Sequence, residues 1–479
     1  MNSPHFKIPI GFAEEDIISF IHPVFAIIFS FFDGATPLED VISKVQSVTG
    51  FEKEAITNFI NPFIENKDRV NIEYDNHYFE LPKNILVDNN SKKYSKRKMN
   101  YKEYFIEDEF DFYTYRLYES PASITILLNT KCITDCIYCY VDRNKKMDCQ
   151  ISIERIKELI REAKQLKVIR FDIAGTEIFL YKHWDELLVE LLANNYYPYL
   201  STKIPISEKI IKRIKEIGIN DIQISLDTID NNVAKAINKV KDDKYIEKMF
   251  KTLELLEKND VNCAVNVVLV KENGSVDSVK KLLDRVNIFS NIERVTLNPA
   301  ERSQYWNSDN YDLHKNTLDE IQLLEFFLEE NKKNYNFDIV LAGYTTKDQY
   351  INEIPVLKSN FEKRSACSAN KEQFCILSDG QVTICEELYW TPQFIIGNVN
   401  DQSIKEVWQS EKALKLENLS RNDFRDESIC KTCKEFENCR LEKGVCWSDV
   451  ISAYGTENFD FPAPNCPYAP KIKYSIYHE

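Results

Sequence analysis

Between residues 123 and about 300, six short apolar runs alternate with amphipathic stretches, and this alternation limits the possible folds more than any other feature of the chain. The runs are Ile124 to Leu128, Val168 to Ile173, Tyr199 to Ser201, Ile222 to Leu226, Ala264 to Val270 and Arg294 to Leu297. Strands that alternate with helices pair in parallel through right-handed crossovers. Six units in succession therefore predict an α/β fold built on a partial (β/α)6 TIM barrel. The first intervening helix is clear: Ile153, Ile156, Leu159, Ile160, Ala163 and Leu166 recur at three- and four-residue steps and make one apolar stripe. In such barrels the chemistry sits at the C-terminal ends of the strands.

At 479 residues the chain has room for about three domains. Residues 1–82 read as three helices and a hairpin. His22-Pro23 opens a helix to Phe32, Thr36-Pro37 opens another to Gly50, and Phe51 to Glu65 forms a third. Arg69 to Leu81 then carries Val70, Ile72 and Tyr74 before an Asp75-Asn76 turn, which predicts the wing of a winged helix with one sheet edge free. Residues 83–120 decay into polar and charged sequence, with the basic run Lys92, Lys93, Lys96, Arg97, Lys98 and the acidic patch Glu107, Asp108, Glu109, Asp111. They read as a linker that would span about 35 Å as a coil. The barrel takes residues 121–340. From 360 to 479 periodicity fades and cysteines crowd together, which predicts a loop-rich domain held by metal rather than by an apolar core.

Composition removes several functions. Lysine plus arginine number 61 against 76 aspartates and glutamates, a net charge of −15 that argues against a nucleic-acid partner. The longest apolar run, Ile17 to Phe32, is broken by His22-Pro23 and is shorter than the ~18 residues a membrane span needs, so it reads as core, with no signal peptide. The six histidines are too scattered for an HExxH zinc site, and no GxSxG, Walker A or GxGxxG string occurs. Thirteen cysteines, most in short spacings, point instead to metal sites in a reducing compartment, the cytoplasm.

Directly after the first barrel strand comes Asn129-Thr130-Lys131-Cys132-Ile133-Thr134-Asp135-Cys136-Ile137-Tyr138-Cys139. Three thiolates are one short of the four that a four-iron cluster takes, so one iron would stay open for a substrate or cosubstrate. This Cys-x3-Cys-x2-Cys loop, with an aromatic before the last cysteine and a strand in front, resembles the radical S-adenosylmethionine (SAM) enzymes over residues 120 to 300. The resemblance implies that Cys132, Cys136 and Cys139 hold a 4Fe-4S cluster whose open iron chelates SAM, and that Tyr138 lies at the cosubstrate. Ala174-Gly175-Thr176-Glu177-Ile178-Phe179, after the second strand, is similar to the family's Gly-Gly-Glu-Pro segment, with Thr176 for the second glycine and Ile178 for the proline. It implies cosubstrate contacts at Gly175, Thr176 and Glu177. Ser225 and Asp227, at the end of the fourth strand, occupy the place of the family's ribose contacts; Asp227 reads equally as a helix N-cap.

The last region runs Cys367, Cys375, Gly380-x4-Cys385, then Phe394 to Trp408, then Cys430-x2-Cys433-x5-Cys439, Cys446 and Cys466. It resembles the SPASM domain, although six residues separate Cys439 from Cys446 where three are usual. The resemblance implies one auxiliary 4Fe-4S cluster on Cys367, Cys375, Cys385 and Cys446 and another on Cys430, Cys433, Cys439 and Cys466, three clusters in all. Cys149 and Cys263 are left over. Zinc on Cys430-x2-Cys433 is the alternative that iron analysis separates.

His22-Pro23-Val24-Phe25 through Phe32-Asp33-Gly34 and Leu38-Glu39-Asp40-Val41 resemble the winged-helix recognition element of ribosomal-peptide maturases, where a precursor's leader adds a strand to the sheet edge. The resemblance as a whole implies an oxidoreductase that installs an intrapeptide crosslink, a cysteine-to-carbon thioether as in sactipeptide and ranthipeptide maturases. It would draw electrons from a donor such as flavodoxin or ferredoxin. Carbon–carbon crosslinking, a sulfatase-type protein maturase and a non-catalytic iron-sulfur electron carrier or peptide-binding protein are the alternatives.

Overall fold

In a computed structural model the described residues are 22–74, 77–81, 85–86, 100–105, 116–117, 120–142, 146–175, 177–302, 308–344, 361, 364, 366–474, 476 and 478. They fall in two compact units, Met1–Phe112 and Tyr113–Glu479.

In the first unit, helix α1 (Pro23–Ser30) begins where proline presets the backbone and His22 Nδ1 accepts the Val24 N–H at 3.1 Å. Helix α2 (Leu38–Thr49) stops at Gly50 in the left-handed region, φ +73°, and α3 (Lys53–Glu65) follows. Strands β1 (Val70–Tyr74) and β2 (His77–Leu81) pair antiparallel, Val70 opposite Leu81 and Tyr74 opposite His77. Phenylalanines hold these elements together: Phe25 stacks on Phe59 at 5.0 Å and meets Phe79 edge-on at 5.3 Å, and Phe29 meets Phe63 edge-on at 4.9 Å. The first helix ends two residues short of Phe32. The Asp75-Asn76 turn, both charged runs and most of the linker lie outside the described residues.

In the second unit the six expected strands are β3 (Ser123–Leu127), β4 (Arg170–Ala174), β5 (Ser201–Thr202), β6 (Asp221–Ser225), β7 (Asn262–Leu269) and β8 (Ile292–Pro299). Helices α4 (Ile153–Gln165), α5 (Trp184–Ala193), α6 (Glu208–Ile217), α7 (Asn231–Ile237), α8 (Tyr245–Lys258) and α9 (Val276–Val286) connect them. After α10 (Ser308–His314) and α11 (Leu318–Asn331) comes a further parallel strand, β9 (Asp338–Leu341), too short and too half-exposed to stand out as an apolar run.

These strands form two sheets. One is parallel, in the order β5-β6-β7-β8-β9. The other holds β3 and β4 together with β10 (Gln373–Ile376), β11 (Gln381–Thr383) and β12 (Ile395–Asn398), in the order β12-β11-β10-β3-β4. Among the described residues no ladder joins β4 to β5. Side chains cross that seam instead: Asp172 accepts the Tyr199 N–H, and Glu177 accepts the Thr202 hydroxyl at 2.8 Å and the Lys203 N–H at 3.1 Å.

The C-terminal region is not the coreless, loop-rich domain that the sequence suggested. Phe374, Ile376, Val382, Ile384, Phe394, Ile396 and Trp408 are buried in the same apolar cluster as Ile124, Ile126 and Phe171 of β3 and β4. The reason is topological: β10 pairs in parallel with β3, Phe374 opposite Ile124, so β3 has no free edge and the two regions share one core. The linker is also shorter than expected at its C-terminal end. Arg116 is buried, lies 3.8 Å over the Trp408 ring and donates from Nε to the Asn370 carbonyl at 2.8 Å.

Candidate functional site

The cysteine loop leaves β3 through Leu128, Asn129 and Thr130, all buried. The Thr130 N–H donates to the Met147 carbonyl at 3.0 Å, and the Met147 N–H returns to the Thr130 hydroxyl at 2.9 Å. Farther along, the Asp135 and Ile137 N–H groups donate to the Asn238 and Ile237 carbonyls at the end of α7, both at 2.9 Å. The loop is thus fixed to two neighbouring segments before any ligand is considered. The Thr134 hydroxyl lies 3.1 Å from Cys132 Sγ and 3.5 Å from Cys136 Sγ, and Asn238 Nδ2 approaches Cys136 Sγ at 3.5 Å.

Behind the loop sits an ionic hub. Asp227 Oδ2 accepts from Lys203 Nζ at 2.7 Å, from Asn238 Nδ2 at 2.6 Å and from the Tyr138 hydroxyl; its Oδ1 accepts the Val268 N–H at 2.9 Å. Burial, the Asp227 charge and the Cys136 thiolate hold the Tyr138 phenol well above its usual pKa, so it stays a donor. Burial pulls the Lys203 ammonium down, but Asp227, Cys136 and Cys132 outweigh it and keep the amine above its ordinary value. Asp227 is therefore satisfied inside the protein, and it is not the N-cap of α7. That role belongs to Asp230, whose carboxylate accepts the Asn232 and Val233 N–H groups at 2.7 and 3.3 Å. Lys203 and Asn238 escaped the sequence reading; the available signal was a lysine directly after β5.

At the end of β4, Gly175 has φ +97°, and a Cβ there would run into the Leu127 side chain. Only glycine lets the backbone turn here without strain. Thr176 lies outside the described residues. Glu177 is 2% exposed, and burial raises its carboxyl to about 7 in spite of the Thr202, Lys203 and Phe179 donors. Its side chain is committed to the β4–β5 seam, which makes Glu177 a structural clamp between the two strands. Ser225 accepts from Gln223 Nε2 at 2.8 Å, opposite Asn266 on β7.

The C-terminal cysteines gather in two sets. The Cys367 N–H donates to the Lys443 carbonyl at 2.9 Å, which brings the Cys446 segment beside Cys367, and the extra residues between Cys439 and Cys446 are taken up by the helical turn Glu437–Lys443. Cys367 acts electrostatically on Cys385 and Cys446, and Cys385 acts on Cys375. In the other set Cys439, Cys430 and Cys433 all act on Cys466. Cys375 packs in one apolar cluster with Tyr389, against which Cys139 of the barrel loop also packs, so the first set adjoins the three-cysteine loop. Cys263 is fully buried in β7 and Cys149 is half-buried.

All of these cysteines are unpaired thiols. Among the described residues no three His, Cys, Asp or Glu side chains close around a single metal ion. Arg440 Nε and Nη1 and Arg364 Nε are buried donors with no acceptor among the described residues, beside Cys430 and Cys439. Cluster sulfides would supply acceptors there. The donor sets and these orphaned N–H groups fit iron-sulfur clusters.

The comparisons agree. Residues 126–285 match the radical SAM superfamily, and residues 367–434 match SPASM, an iron-sulfur cluster-binding domain. The chain is 19% identical over 356 residues to the PqqA peptide cyclase of Granulibacter bethesdensis, covering 74% of this chain and 88% of that one. It is 22% identical over 353 residues to the mycofactocin maturase MftC of Mycobacterium tuberculosis, covering 73% and 83%. Streptococcus suis SuiB bound to precursor peptide SuiA shares the fold with a TM-score of 0.55 at 17% identity, over 86% of this chain and 89% of that one.

Fold and site together define a radical SAM enzyme. Its C-terminal region is a SPASM domain, which places the chain among the radical SAM/SPASM enzymes. No helix among the described residues is long and apolar enough to cross a membrane.

Proposed function

We propose that this enzyme cleaves SAM to a 5′-deoxyadenosyl radical and installs an intrapeptide crosslink, a cysteine-to-carbon thioether, in a ribosomally synthesised precursor peptide. The observation that carries the reading is the three-thiol loop, fixed at the end of β3 and adjoined by the Cys367 set, with a second set of four cysteines elsewhere in the same unit. Cys132, Cys136 and Cys139 would hold a cluster that, when loaded, chelates SAM at its open iron and supplies the electron that breaks the sulfonium. The chain's own part is to hold this end rigid. The Asp227 hub anchors Tyr138 and the loop, Gly175 lets the backbone come close, and Glu177 closes the β4–β5 seam.

A thioether forms with loss of two hydrogens from the peptide. One leaves as an atom to the adenosyl carbon and the other as a proton, with one electron over. The two C-terminal cysteine sets would hold clusters that supply an acceptor for that electron. The first unit, three helices and a hairpin, is read as the winged-helix element that takes the leader. This reading is supported by relatives named for a peptide cyclase and a mycofactocin maturase, and by the precursor-bound SuiB structure. Thirteen unpaired cysteines suit the cytoplasm and a donor such as flavodoxin or ferredoxin.

A carbon–carbon crosslink is the second reading. It is favoured by four cysteines in each C-terminal set, which leave no open iron for a substrate thiolate there. Anaerobic turnover with a precursor peptide encoded beside the gene for this chain, read by mass spectrometry, decides. 5′-Deoxyadenosine and a peptide two hydrogens lighter are expected. A product that persists when the peptide's cysteines are replaced moves the assignment to carbon–carbon, and absence of 5′-deoxyadenosine overturns both.

A further inference from the structure

The two C-terminal cysteine sets sit in opposite electrostatic surroundings. Arg364 Nη2 donates to Cys439 Sγ at 3.2 Å and Arg440 Nη2 donates to Cys430 Sγ at 3.1 Å. Arg440 is 5% exposed, with its guanidinium 5.0 Å from the Phe424 ring and 5.3 Å from the Trp447 ring, so its charge is held in a dry, aromatic wall. Both arginines act on Cys439, and the strongest influences on Cys466 beyond burial are a hydrogen bond with Tyr468 and the other thiolates of its set.

Around the other set the charges are acidic. Glu386 and Glu387 directly follow Cys385, and Asp449 lies on helix α14 (Trp447–Tyr454), which starts after Cys446 and follows the short helices α12 (Ile404–Trp408) and α13 (Glu411–Glu417). These carboxyls act on Cys375, Cys385 and Cys446. Among the described residues Lys371 acts on Cys367, but its ammonium donates to the Leu441 carbonyl at 2.6 Å and lies 3.9 Å from Glu417. A guanidinium is positive at every working pH, while a carboxyl adds negative charge or none. Positive charge and N–H donors to cluster sulfurs favour the more negative, reduced state of a cluster.

We infer that Arg364 and Arg440 set the order of the two auxiliary clusters: the cluster on Cys430, Cys433, Cys439 and Cys466 has the higher reduction potential, and the cluster on Cys367, Cys375, Cys385 and Cys446 the lower. This rests on the ligand sets proposed above. Because the Cys367 set adjoins the barrel loop through Cys375 and Cys139, the order makes electron flow favourable away from the barrel. The arginines act through the thiolates and are positioning residues.

The test is an EPR-monitored redox titration of the full chain in which Cys132, Cys136 and Cys139 are replaced by alanine, leaving the two auxiliary sets. Two potentials are expected. The upper should vanish in Cys430→Ala/Cys433→Ala and the lower in Cys367→Ala/Cys385→Ala. Arg364→Gln should move only the upper one, to a more negative value, and Arg364→Lys should restore part of the shift. Should Arg364→Gln lose its cluster, the order in the parent and the Arg364→Lys shift still decide. Full iron with the order reversed, or with the upper potential unmoved in the Arg364 variants, overturns the inference alone. A parent protein lacking the iron of two clusters overturns the ligand sets, and the inference with them.

Discussion

Replacing Asp227 by asparagine tests whether charge holds the site together. The Asp227 side chain is 1% exposed and that of Lys203 15%, and the pair is 2.7 Å apart. Asparagine keeps one acceptor oxygen and turns the other into an N–H donor facing an ammonium, a phenol and an amide. Removing one member of a buried ion pair strands the other, which costs about 3–5 kcal/mol. The Cys132 and Cys136 thiolates also act on Lys203, so the lower end of that range is expected. Lys203→Met should cost less, about 1–3 kcal/mol, because Asp227 keeps Tyr138, Asn238 and Val268 as donors. In the double variant neither charge is stranded, so its loss should fall short of the sum by about 2 kcal/mol. The chain has two units, so a single unfolding midpoint would mix their transitions. Hydrogen exchange of residues 129–142 and of α7 isolates the hub, with SAM binding measured in parallel. Additive losses, or wild-type protection in Asp227→Asn, would refute the idea that a buried ion pair anchors the loop.

Two further outcomes follow from the site. Burial raises the folded Glu177 carboxyl to about 7 from 4.5, so between those values the folded state keeps a proton that the unfolded chain has released. Stability should therefore fall as pH rises through that window, by at most about 3 kcal/mol, and Glu177→Gln should flatten the dependence; equal changes in hydrogen-exchange protection of β4 and β5 between pH 5 and pH 8 for both proteins would contradict this. Cys446 has an accessible side chain beside Cys367 whereas Cys263 is sealed in β7, so Cys446→Ala should lose about a third of the iron and Cys263→Ala none, read by iron and sulfide analysis after anaerobic reconstitution.

The alternation of apolar runs was legible because each strand must bury a period-two or continuous apolar face and each helix one stripe, and those constraints are local. Every one of the six expected strands and the three leading helices is present within a few residues. The cysteine spacings were legible for a related reason: ligands to one cluster have to recur within a short loop, as Cys132, Cys136 and Cys139 do. What the sequence could not show depends on contacts distant in the chain. Residues 360–479 looked coreless because their apolar residues follow no single period, yet β10 pairs with β3 across some 250 positions and draws Phe374 and Trp408 into the core that β3 and β4 share. Asp227 could be read as a cap or a ligand, and only folding shows it, because Lys203, Asn238 and Val268 reach it from three other segments. Arg364 and Arg440 looked like any charged loop residues until the fold put their guanidinium groups against Cys439 and Cys430. Period and spacing are written in neighbouring residues, so the chain alone determined its class. Charge pairing acts through space, so the arrangement of acids, arginines and thiols was decided only by the tertiary structure.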